Sequence, residues 1–450
     1  MKQTLHKYLS KPQAFSVILA CGILMRVLWL LFIANKPLMS DAASYNTMSN
    51  HLLSGEAFVP YWPPGLPLYL ALVHKLFGPA AIAVRFAMLL FYVGASVFVH
   101  RTATLFTGSM ASGNLALTLL AVSPASIHAS VEPLTQLPAA MLITVIAYCL
   151  VRLECGPFAW CGPVLAISGA YLALIRPSSL LLLAGLPLYL LWRTRKWVAP
   201  LALTAIAGAL VVSWIGYVYE RTGQLVKINT ANSANFYLGN NPYTPVYRTW
   251  WLGSHHNPPE VPLEFAQQRA RIMQLDTAAQ ETELSALAKN HIRQRPDLFL
   301  LRSFNRVCTY FAFDTFAGAY VIGNYGVPSL VGLVVIAADA ILYFLMAVGS
   351  IFYFVLPLPE RLRRQACLLL GIVVLYATPY FFAFSHPSYR FPIEPLLIIL
   401  SSAFFTLLLD EKGLSIREVM AHRPVPVAIV LVLFSLIQVE FLSIVMLHRS

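Results

Sequence analysis

An acidic residue followed by a polar, proline-rich loop stands directly after the first long apolar segment of the chain. Asp41 opens the run DAASYNTMSNHLLS, Tyr45 lies four residues later, and the sequence continues into YWPPGLP at 61–67. A carboxylate shielded by such a loop is suited to act as a general base on a hydroxyl group, because its surroundings can tune its pKa. The alternative is a structural role, since Asp is also favoured at the start of a short helix.

A second segment with chemical potential is SHPSYRFPIEPLL at 385–397, which stands at the end of another apolar run. Arg390 offers a fork of hydrogen-bond donors that matches phosphate oxygens, and His386 and Tyr389 add further donors nearby. These side chains are therefore suited to hold a phosphate at the level of the lipid headgroups. The alternative is that Arg390 snorkels to the membrane interface and Tyr389 belongs to an aromatic belt.

The third segment is KINTANSANFYLGNNPYT at 227–244, which is rich in asparagine. Asn232, Asn235, Asn240 and Asn241 could bind sugar hydroxyls, although Asn and Gly are also ordinary turn residues.

Several isolated polar residues are further candidates. Arg302 and Arg306 stand at i, i+4 spacing, so on a helix both point the same way and could neutralise a lipid phosphate or face anionic headgroups. Glu132 and Arg176 both precede a proline, and a proline often simply ends a helix.

Composition sets the class of protein to which these residues belong. The chain is 58% hydrophobic and only 11% charged, which is far more apolar than a soluble domain. Its formal charge of +12 comes from short Lys and Arg clusters between apolar runs, a pattern typical of cytoplasmic loops rather than of a nucleic-acid surface. The six cysteines show no disulfide framework and no metal-ligand spacing. We therefore expect an all-α polytopic membrane protein that binds no nucleic acid.

Apolar runs of about 20 residues predict the membrane helices. Basic residues cluster before the first run and in alternate connections between the runs. The positive-inside rule places these basic connections in the cytoplasm, so the loop that contains Asp41 is expected to face outward. Inside the predicted bilayer, Arg26 and Asp339 are candidates for function, or they pair with each other or with backbone groups. The expected spans, about eleven in all, are 14–34, 80–100, 112–128, 133–151, 160–175, 178–192, 197–217, 328–356, 367–384, 391–409 and 425–446.

The same pattern predicts the domain organisation. We expect an N-terminal transmembrane module at 1–217 with its first external loop at 35–79, a small extracytoplasmic helical subdomain at 218–327, and C-terminal transmembrane helices at 328–450. Within the subdomain, the stretch 261–293 is rich in helix formers. The segment after it, LFLLRSFNRVCTYFAFDTF, suits a helix that lies at the membrane face or against the bundle.

The order of these segments resembles that of the GT-C superfamily of integral membrane glycosyltransferases. The resemblance is to members similar to glycosyltransferase family 39, the protein mannosyltransferases and aminoarabinose transferases, and it rests on three features. These are Asp-x-x-x-Tyr with Pro-Pro-Gly-x-Pro in the first loop, an Arg-containing Pro-x-x-Pro motif late in the chain, and a Gly-Asn pair after the seventh predicted span. The chain departs from the family where Ala42 follows Asp41, because many members have two adjacent acids there.

The resemblance implies a GT-C fold and transfer of a hexose or pentose from a polyprenyl-phosphate carrier to an acceptor hydroxyl. It implies Asp41 as the general base, with no cofactor beyond the lipid-linked donor and with a divalent metal left open. The acceptor would be a lipid, a glycan or a protein, and the site would face the periplasm or outside of a bacterial inner membrane. The residues expected to bind donor phosphate or substrate are Tyr45, Glu132, Arg176, Arg302, Arg306, His386, Tyr389 and Arg390.

Two alternatives remain open on the sequence. A polymerase or ligase that uses a polyprenyl-diphosphate donor would depend more on Arg and His of the large external loop than on Asp41. A secondary transporter or flippase of a lipid-linked sugar would instead use polar residues near the membrane midplane, for which Arg26, Asp339 and Glu440 are candidates.

Overall fold

The chain is helical throughout the residues that the structure describes. This computed structural model describes residues 2–55, 60–156, 160–247, 263–410, 418 and 424–447, and within these ranges it contains no β-strand. Short 3-10 helices at Pro177–Ser179 and Pro387–Ile393 join longer elements. The α-helices are α1 (Lys2–Leu9), α2 (Pro12–Ile33), α3 (Ser40–Ser54), α4 (Gly65–Phe77), α5 (Ala81–Thr107), α6 (Met110–Val122), α7 (Pro124–Ala129), α8 (Gln136–Cys155), α9 (Cys161–Ile175), α10 (Leu180–Thr194), α11 (Val198–Thr222), α12 (Ala231–Gly239), α13 (Leu263–Ile272), α14 (Thr277–Gln294), α15 (Pro296–Tyr310), α16 (Phe316–Tyr325), α17 (Ser329–Val355), α18 (Glu360–Phe382), α19 (Glu394–Leu409) and α20 (Pro424–Leu447).

Seven helices of the described chain are long and apolar enough to cross a membrane, as expected of a polytopic membrane protein. They are α2, α5, α8, α11, α17, α18, and α19 together with the 3-10 helix before it. Shorter apolar stretches are the helices Gly65–Phe77, Met110–Val122 and Cys161–Ile175, and the part Val427–Ser443 of α20. The expected count of about eleven spans is therefore not confirmed.

The expected span at 112–128 is divided in the structure. Helix α6 ends at Val122, and α7 starts at Pro124, which lacks the N–H needed to continue the preceding helix. The Ser123 hydroxyl accepts a hydrogen bond from the backbone N–H of Ser126 at 3.2 Å and so caps α7. The expected span is therefore two helices, each too short to cross a bilayer alone.

The two ends of the bundle differ in chemistry, and α8 connects them. Its first residue, Gln136, lies at the end that holds Asp41, whereas its last residue, Cys155, contacts Arg361 at 3.2 Å at the opposite end. Arg193 and Glu154 form an ion pair at 3.2 Å at that same opposite end. Basic residues that the sequence assigns to one membrane side thus lie at the end away from Asp41. The basic residues Lys412, Arg417 and Arg423, which stand between the last two expected spans, lie outside the described residues.

The segment after α11 forms several short helices rather than membrane spans. The helix expected at 261–293 is two helices, α13 and α14, and α14 begins where Asp276 Oδ1 accepts a hydrogen bond from the N–H of Ala279 at 2.9 Å. Residues 56–59 of the expected first loop and 248–262 of the expected subdomain lie outside the described residues.

Helix α15 has its apolar residues outward and its cations inward. Leu300 and Phe304 are exposed, whereas Arg302 and Arg306 are buried. An exposed apolar face with charges turned toward the protein is what a helix at the membrane face requires. The location of this helix at the membrane face stays a prediction.

Candidate functional site

A cavity of about 300 Å³ at one end of the bundle brings together residues from all three sequence segments. Asp41, Tyr45 and Trp62 come from the first loop, Tyr389 from the segment 385–397, and Asn232 and Asn235 from the asparagine-rich segment 227–244. The residues that complete its walls are Pro63, Thr135, Gln136, Ile175, Arg176, Pro177, Ser178, Asn229, Ala231, Pro379, Tyr380, Ala383 and Phe384. A cavity of this size with a few convergent polar groups is typical of a small-molecule site.

Asp41 lies in the first turn of α3 and is partly buried. The residue at the N-cap position is Met39, so Asp41 is not the capping residue itself. Ser40 has a φ of 51°, a left-handed conformation that is uncommon for a residue other than glycine. Strained backbone of this kind often occurs at functional sites, and here it immediately precedes the cavity carboxylate.

Aromatic side chains surround Asp41. Tyr45 is one helical turn further along α3, is buried, and packs against Trp62 with ring centroids 5.2 Å apart. Burial raises the pKa of Tyr45 well above its usual value, and the nearby negative charge of Asp41 raises it further. Burial also raises the pKa of Tyr61, again with a contribution from Asp41. Both phenols are therefore neutral hydrogen-bond donors beside the carboxylate.

Arg176 is the cation in the cavity wall. It is only 8% exposed, its Nη1 donates to the hydroxyl of Tyr380 at 3.3 Å, and its guanidinium lies 5.6 Å from the ring centroid of Tyr389. Its Nε has no hydrogen-bond partner, and Arg176 forms no ion pair within the described part of the chain. A buried guanidinium with donors to spare is suited to an anionic ligand.

The asparagine segment is attached directly to the first loop. Asn229 Nδ2 donates to the carbonyl oxygen of Tyr61 at 3.0 Å, and the N–H of Thr230 donates to that of Pro60 at 3.0 Å. Asn229 is 2% exposed, and its Oδ1 has no hydrogen-bond partner among the described residues. This leaves an acceptor available at the cavity wall.

The Gly-Asn pair at the end of α12 has a packing role. A Cβ on Gly239 would lie 1.8 Å from the carbonyl oxygen of Ala383, so only glycine fits. Asn240 Nδ2 donates to the carbonyl oxygen of Phe382 at 3.1 Å. The pair therefore joins α12 to the end of α18. Neither residue lines the cavity, and nor does Asn241, whose side chain bonds within its own turn.

Arg302 and Arg306 reach the same backbone turn, as their i, i+4 spacing predicts. Arg302 donates to the carbonyl oxygens of Asn241, at 3.1 Å, and of Thr244. Arg306 donates to the carbonyl oxygen of Gly239 and to Asn240 Oδ1. Neither guanidinium lines the cavity.

The segment 385–397 contributes one residue to the cavity wall and another to the core. Tyr389 lines the cavity, whereas Arg390 is fully buried, forms an ion pair with Glu394 at 3.2 Å, and donates to the carbonyl oxygens of Tyr310 and Ala312. His386 Nδ1 is 2.7 Å from the hydroxyl of Ser388 and is not among the cavity-lining residues.

Glu132 is also outside the cavity and belongs to a bonded network that reaches the turn before Asp41. It forms a fully buried ion pair with Arg85 at 2.9 Å and accepts a hydrogen bond from the Tyr325 hydroxyl at 2.6 Å. Arg85 Nη1 also donates to the carbonyl oxygens of Ile33 and Lys36, at 3.1 and 2.8 Å. These bonds fix the turn between α2 and α3, and with it the position of Asp41.

Arg26 and Asp339, which the sequence places inside the bilayer, bond to backbone groups and not to each other. Arg26 donates to the carbonyl oxygens of Gly22, Leu120 and Ala121 at 3.0 to 3.1 Å. Asp339 accepts a hydrogen bond from the N–H of Ala125 at 3.2 Å. Of the two partners considered from the sequence, the backbone is therefore the one found.

Three residues of the site were not candidates from the sequence. Tyr380 and Asn229 line the cavity, and Arg85 bonds to the turn before Asp41. Tyr380 follows Pro379 near the end of α18, a position at which a proline in an apolar run gave the only hint. Arg85 lies in the first turns of α5, next to no motif.

No group of three or more His, Cys, Asp or Glu residues close enough to hold a metal occurs in the part of the chain that the structure describes. Asp41 is the only carboxylate among the described residues that line the cavity.

Comparisons with known proteins add a distant structural match. No protein-family model matches the chain, and no curated protein matches it. A solved structure of the archaeal oligosaccharyltransferase AglB from Archaeoglobus fulgidus, in complex with an inhibitory peptide and a dolichol-phosphate, aligns over 94% of this chain with a TM-score of 0.45 and 12% identity. The alignment covers 55% of that enzyme, so this chain spans about half its length. So distant a match leaves the function to be argued from the residues of the cavity.

Proposed function

We propose that this chain is a GT-C type membrane glycosyltransferase that moves a sugar from a polyprenyl-phosphate carrier to an acceptor hydroxyl. The observation that carries the proposal is the composition of one cavity. A carboxylate, a buried arginine that pairs with no described acidic residue, and several asparagine and aromatic side chains lie together in it. These groups come from three distant segments of the sequence. Their convergence is what a base, a phosphate site and a sugar site require.

Asp41 is the proposed general base. It would take the proton of the acceptor hydroxyl as the acceptor oxygen forms a bond to the anomeric carbon and the bond from that carbon to the phosphate oxygen breaks. A mechanism with a covalent sugar–enzyme intermediate uses two carboxylates. The described cavity wall contains only Asp41, which supports a single displacement with inversion.

Arg176 is the proposed binding group for the leaving phosphate. Its guanidinium is buried, so its attraction to a phosphate is weakened less by water than at an exposed site. The hydroxyl of Tyr380, at 3.3 Å, holds the guanidinium in place, and the Ser178 hydroxyl in turn lies 2.6 Å from that of Tyr380. Arg302, Arg306 and Arg390, also candidates from the sequence, each bond to backbone oxygens and would shape the site rather than touch the donor.

Tyr45, Trp62, Asn232 and Asn235 would bind the transferred sugar. Neutral phenols and amides supply donors and acceptors for hydroxyl groups, and aromatic rings pack against the C–H face of a sugar. The apolar tail of the carrier would remain in the lipid. The transporter alternative loses support because Arg26 and Asp339 are bonded to backbone groups.

The proposal is tested with purified wild-type protein and the Asp41→Asn variant, incubated with a radiolabelled polyprenyl-phosphate sugar and a membrane extract as acceptor. We expect transfer to fall by about 10²–10⁴-fold in the variant, the range associated with loss of a general base, while donor binding persists. Asn keeps the size of the side chain, so packing is conserved.

Transfer at the wild-type rate by Asp41→Asn would remove Asp41 from the role of base. Donor binding by both proteins with transfer by neither would instead favour a transporter.

A further inference from the structure

A second cavity of about 280 Å³ lies on the other side of the first turn of α12. The segment before α12, α12 itself and α14 form its walls, and it shares Asn229 and Asn232 with the first cavity. These two side chains therefore stand between the two spaces. The Oδ1 of Asn229 is buried at this boundary and has no hydrogen-bond partner in the described part of the chain.

The second cavity has both charged and neutral hydrogen-bonding groups. Lys227 and Glu281 both line it, and neither forms an ion pair among the described residues. The hydroxyls of Ser233 and Ser285 lie 3.3 Å apart in its wall. Phe236 adds an aromatic side chain. The wall thus offers donors, acceptors and one aromatic surface within a small volume.

The polar and aromatic groups of this cavity wall favour a saccharide over an apolar lipid chain as the bound part of the acceptor. An apolar lipid chain would leave the amide, hydroxyl and charged groups without partners, which is costly for buried atoms such as Asn229 Oδ1. A saccharide carries a hydroxyl on most of its ring carbons and can satisfy donors and acceptors together, while its C–H face packs on an aromatic ring.

We propose that the second cavity binds the saccharide part of the acceptor, so that the acceptor is a glycan or the sugar headgroup of a glycolipid. The reactive hydroxyl would pass between Asn229 and Asn232 into the first cavity, where Asp41 lies. This inference rests on the proposed function, because it assigns the second substrate of the same reaction. The chemistry of the wall, rather than the charge of the chain, identifies the ligand.

The class of acceptor is tested by the products of the wild-type reaction. Radiolabelled polyprenyl-phosphate sugar is incubated with a total membrane extract, and the labelled products are separated into glycan, glycolipid and protein and then digested with glycosidase, phospholipase and protease. We expect the label to be joined to another sugar and released by the glycosidase. A label joined to an amino-acid side chain or directly to a lipid alcohol would overturn the proposal.

The location of the site is tested with two matched pairs of variants. Ser285→Trp fills the second cavity, whereas Ala286→Trp adds the same ring at the neighbouring exposed position of α14. Glu281→Gln removes a carboxylate from the wall, whereas Glu283→Gln removes one that pairs with Arg271 at the surface. We expect Ser285→Trp and Glu281→Gln to raise the KM for the saccharide-containing extract about tenfold or more, as loss of one or two hydrogen bonds would.

Both control variants should keep the wild-type KM, and all four should bind the labelled donor with unchanged affinity. An unchanged acceptor KM in Ser285→Trp would overturn the proposed site even though transfer continues. A loss of donor binding in the same variant would show that it disturbs the first cavity, which would contradict the separation of the two sites. Failure of the proposed function is distinguishable, because the wild-type protein would then transfer the labelled sugar to no acceptor at all.

Discussion

Arginine side chains that are alike in the sequence have different roles in the structure. Arg176 lines the cavity and forms no ion pair with any described residue, whereas Arg390 is held by Glu394 and two backbone carbonyls in the core. Removing one partner of a buried ion pair leaves the other charge uncompensated, so a substitution of Arg390 would act through folding. Only the cavity arginine is expected to affect donor binding specifically.

Arg176→Gln is expected to weaken binding of the polyprenyl-phosphate sugar by about 10–100-fold, the loss expected for a charge-assisted hydrogen bond to phosphate. The measurement is donor affinity by filter binding in detergent. The control is Arg193→Gln, because Arg193 pairs with Glu154 at the opposite end of the bundle. Equal donor affinity in wild type and Arg176→Gln would exclude Arg176 as the phosphate group.

The sequence predicted several residues of the cavity wall but not the groups to which their side chains bond. Asp41, Tyr45, Arg176 and Tyr389 all line one cavity and were all candidates from the sequence. The i, i+4 spacing of Arg302 and Arg306 predicted a shared direction, but it could not predict that the facing group would be a backbone turn. A partner from a distant segment leaves no signal in local spacing.

The proline-rich loop is held in place by the contact between helices α4 and α9. Gly65 begins α4, where a Cβ would lie 2.8 Å from the backbone nitrogen of Ile175 and 2.9 Å from the carbonyl carbon of Leu174. The hydroxyl of Tyr171 donates to the carbonyl oxygen of Gly65 at 2.8 Å. Close contact between α4 and the end of α9 thus fixes the chain next to Trp62 and Arg176, both of which line the cavity.

Gly65→Ala is expected to push α4 away from α9, because backbone atoms at this distance cannot yield as a flexible side chain can. We expect a destabilisation of about 1–3 kcal/mol, typical of overpacking, and a loss of transfer activity. Thermal unfolding in detergent and the transfer assay measure the two effects. Gly208→Ala in α11 is the control, since a Cβ there meets no atom within 4 Å. Wild-type stability and activity in Gly65→Ala would contradict the packing argument.

Hydropathy located the long helices but not their interruptions. Seven of the expected spans correspond to helices that can cross a membrane. The expected span at 112–128 is not one helix, because Pro124 starts a new helix inside it. The stretch 261–293 also divides, where Asp276 caps a new helix. Helix breaks depend on single capping and proline residues, and hydropathy averaged over a window of residues does not detect them.

For the whole molecule, the separation of the cavity from the basic clusters predicts its orientation. The cavity lies at the end of the bundle opposite to Arg193 and Arg361. Basic residues are enriched on the cytoplasmic side of membrane proteins. We therefore propose that the cavity opens to the periplasm or cell exterior, where a lipid-linked sugar would be presented.

Orientation is measured by cysteine labelling in intact cells, in a background from which the native cysteines have been removed. A membrane-impermeant maleimide should label Leu225→Cys, which is exposed at the cavity end of α11, without permeabilisation. It should label Lys196→Cys, at the other end of the same helix, only after permeabilisation. The reverse pattern would place the cavity in the cytoplasm.

The central claim is that the sugar of the donor occupies the cavity of Asp41 and Arg176. The most direct measurement uses a polyprenyl-phosphate sugar with a photoreactive group on the sugar, cross-linked to the Asp41→Asn variant, which is expected to bind the donor without consuming it. Mass spectrometry of the peptides should find adducts at Trp62, Asn232, Asn235 or Tyr389, and an excess of unlabelled donor should prevent them. Adducts confined to residues outside the cavity, or adducts that unlabelled donor does not prevent, would contradict the account.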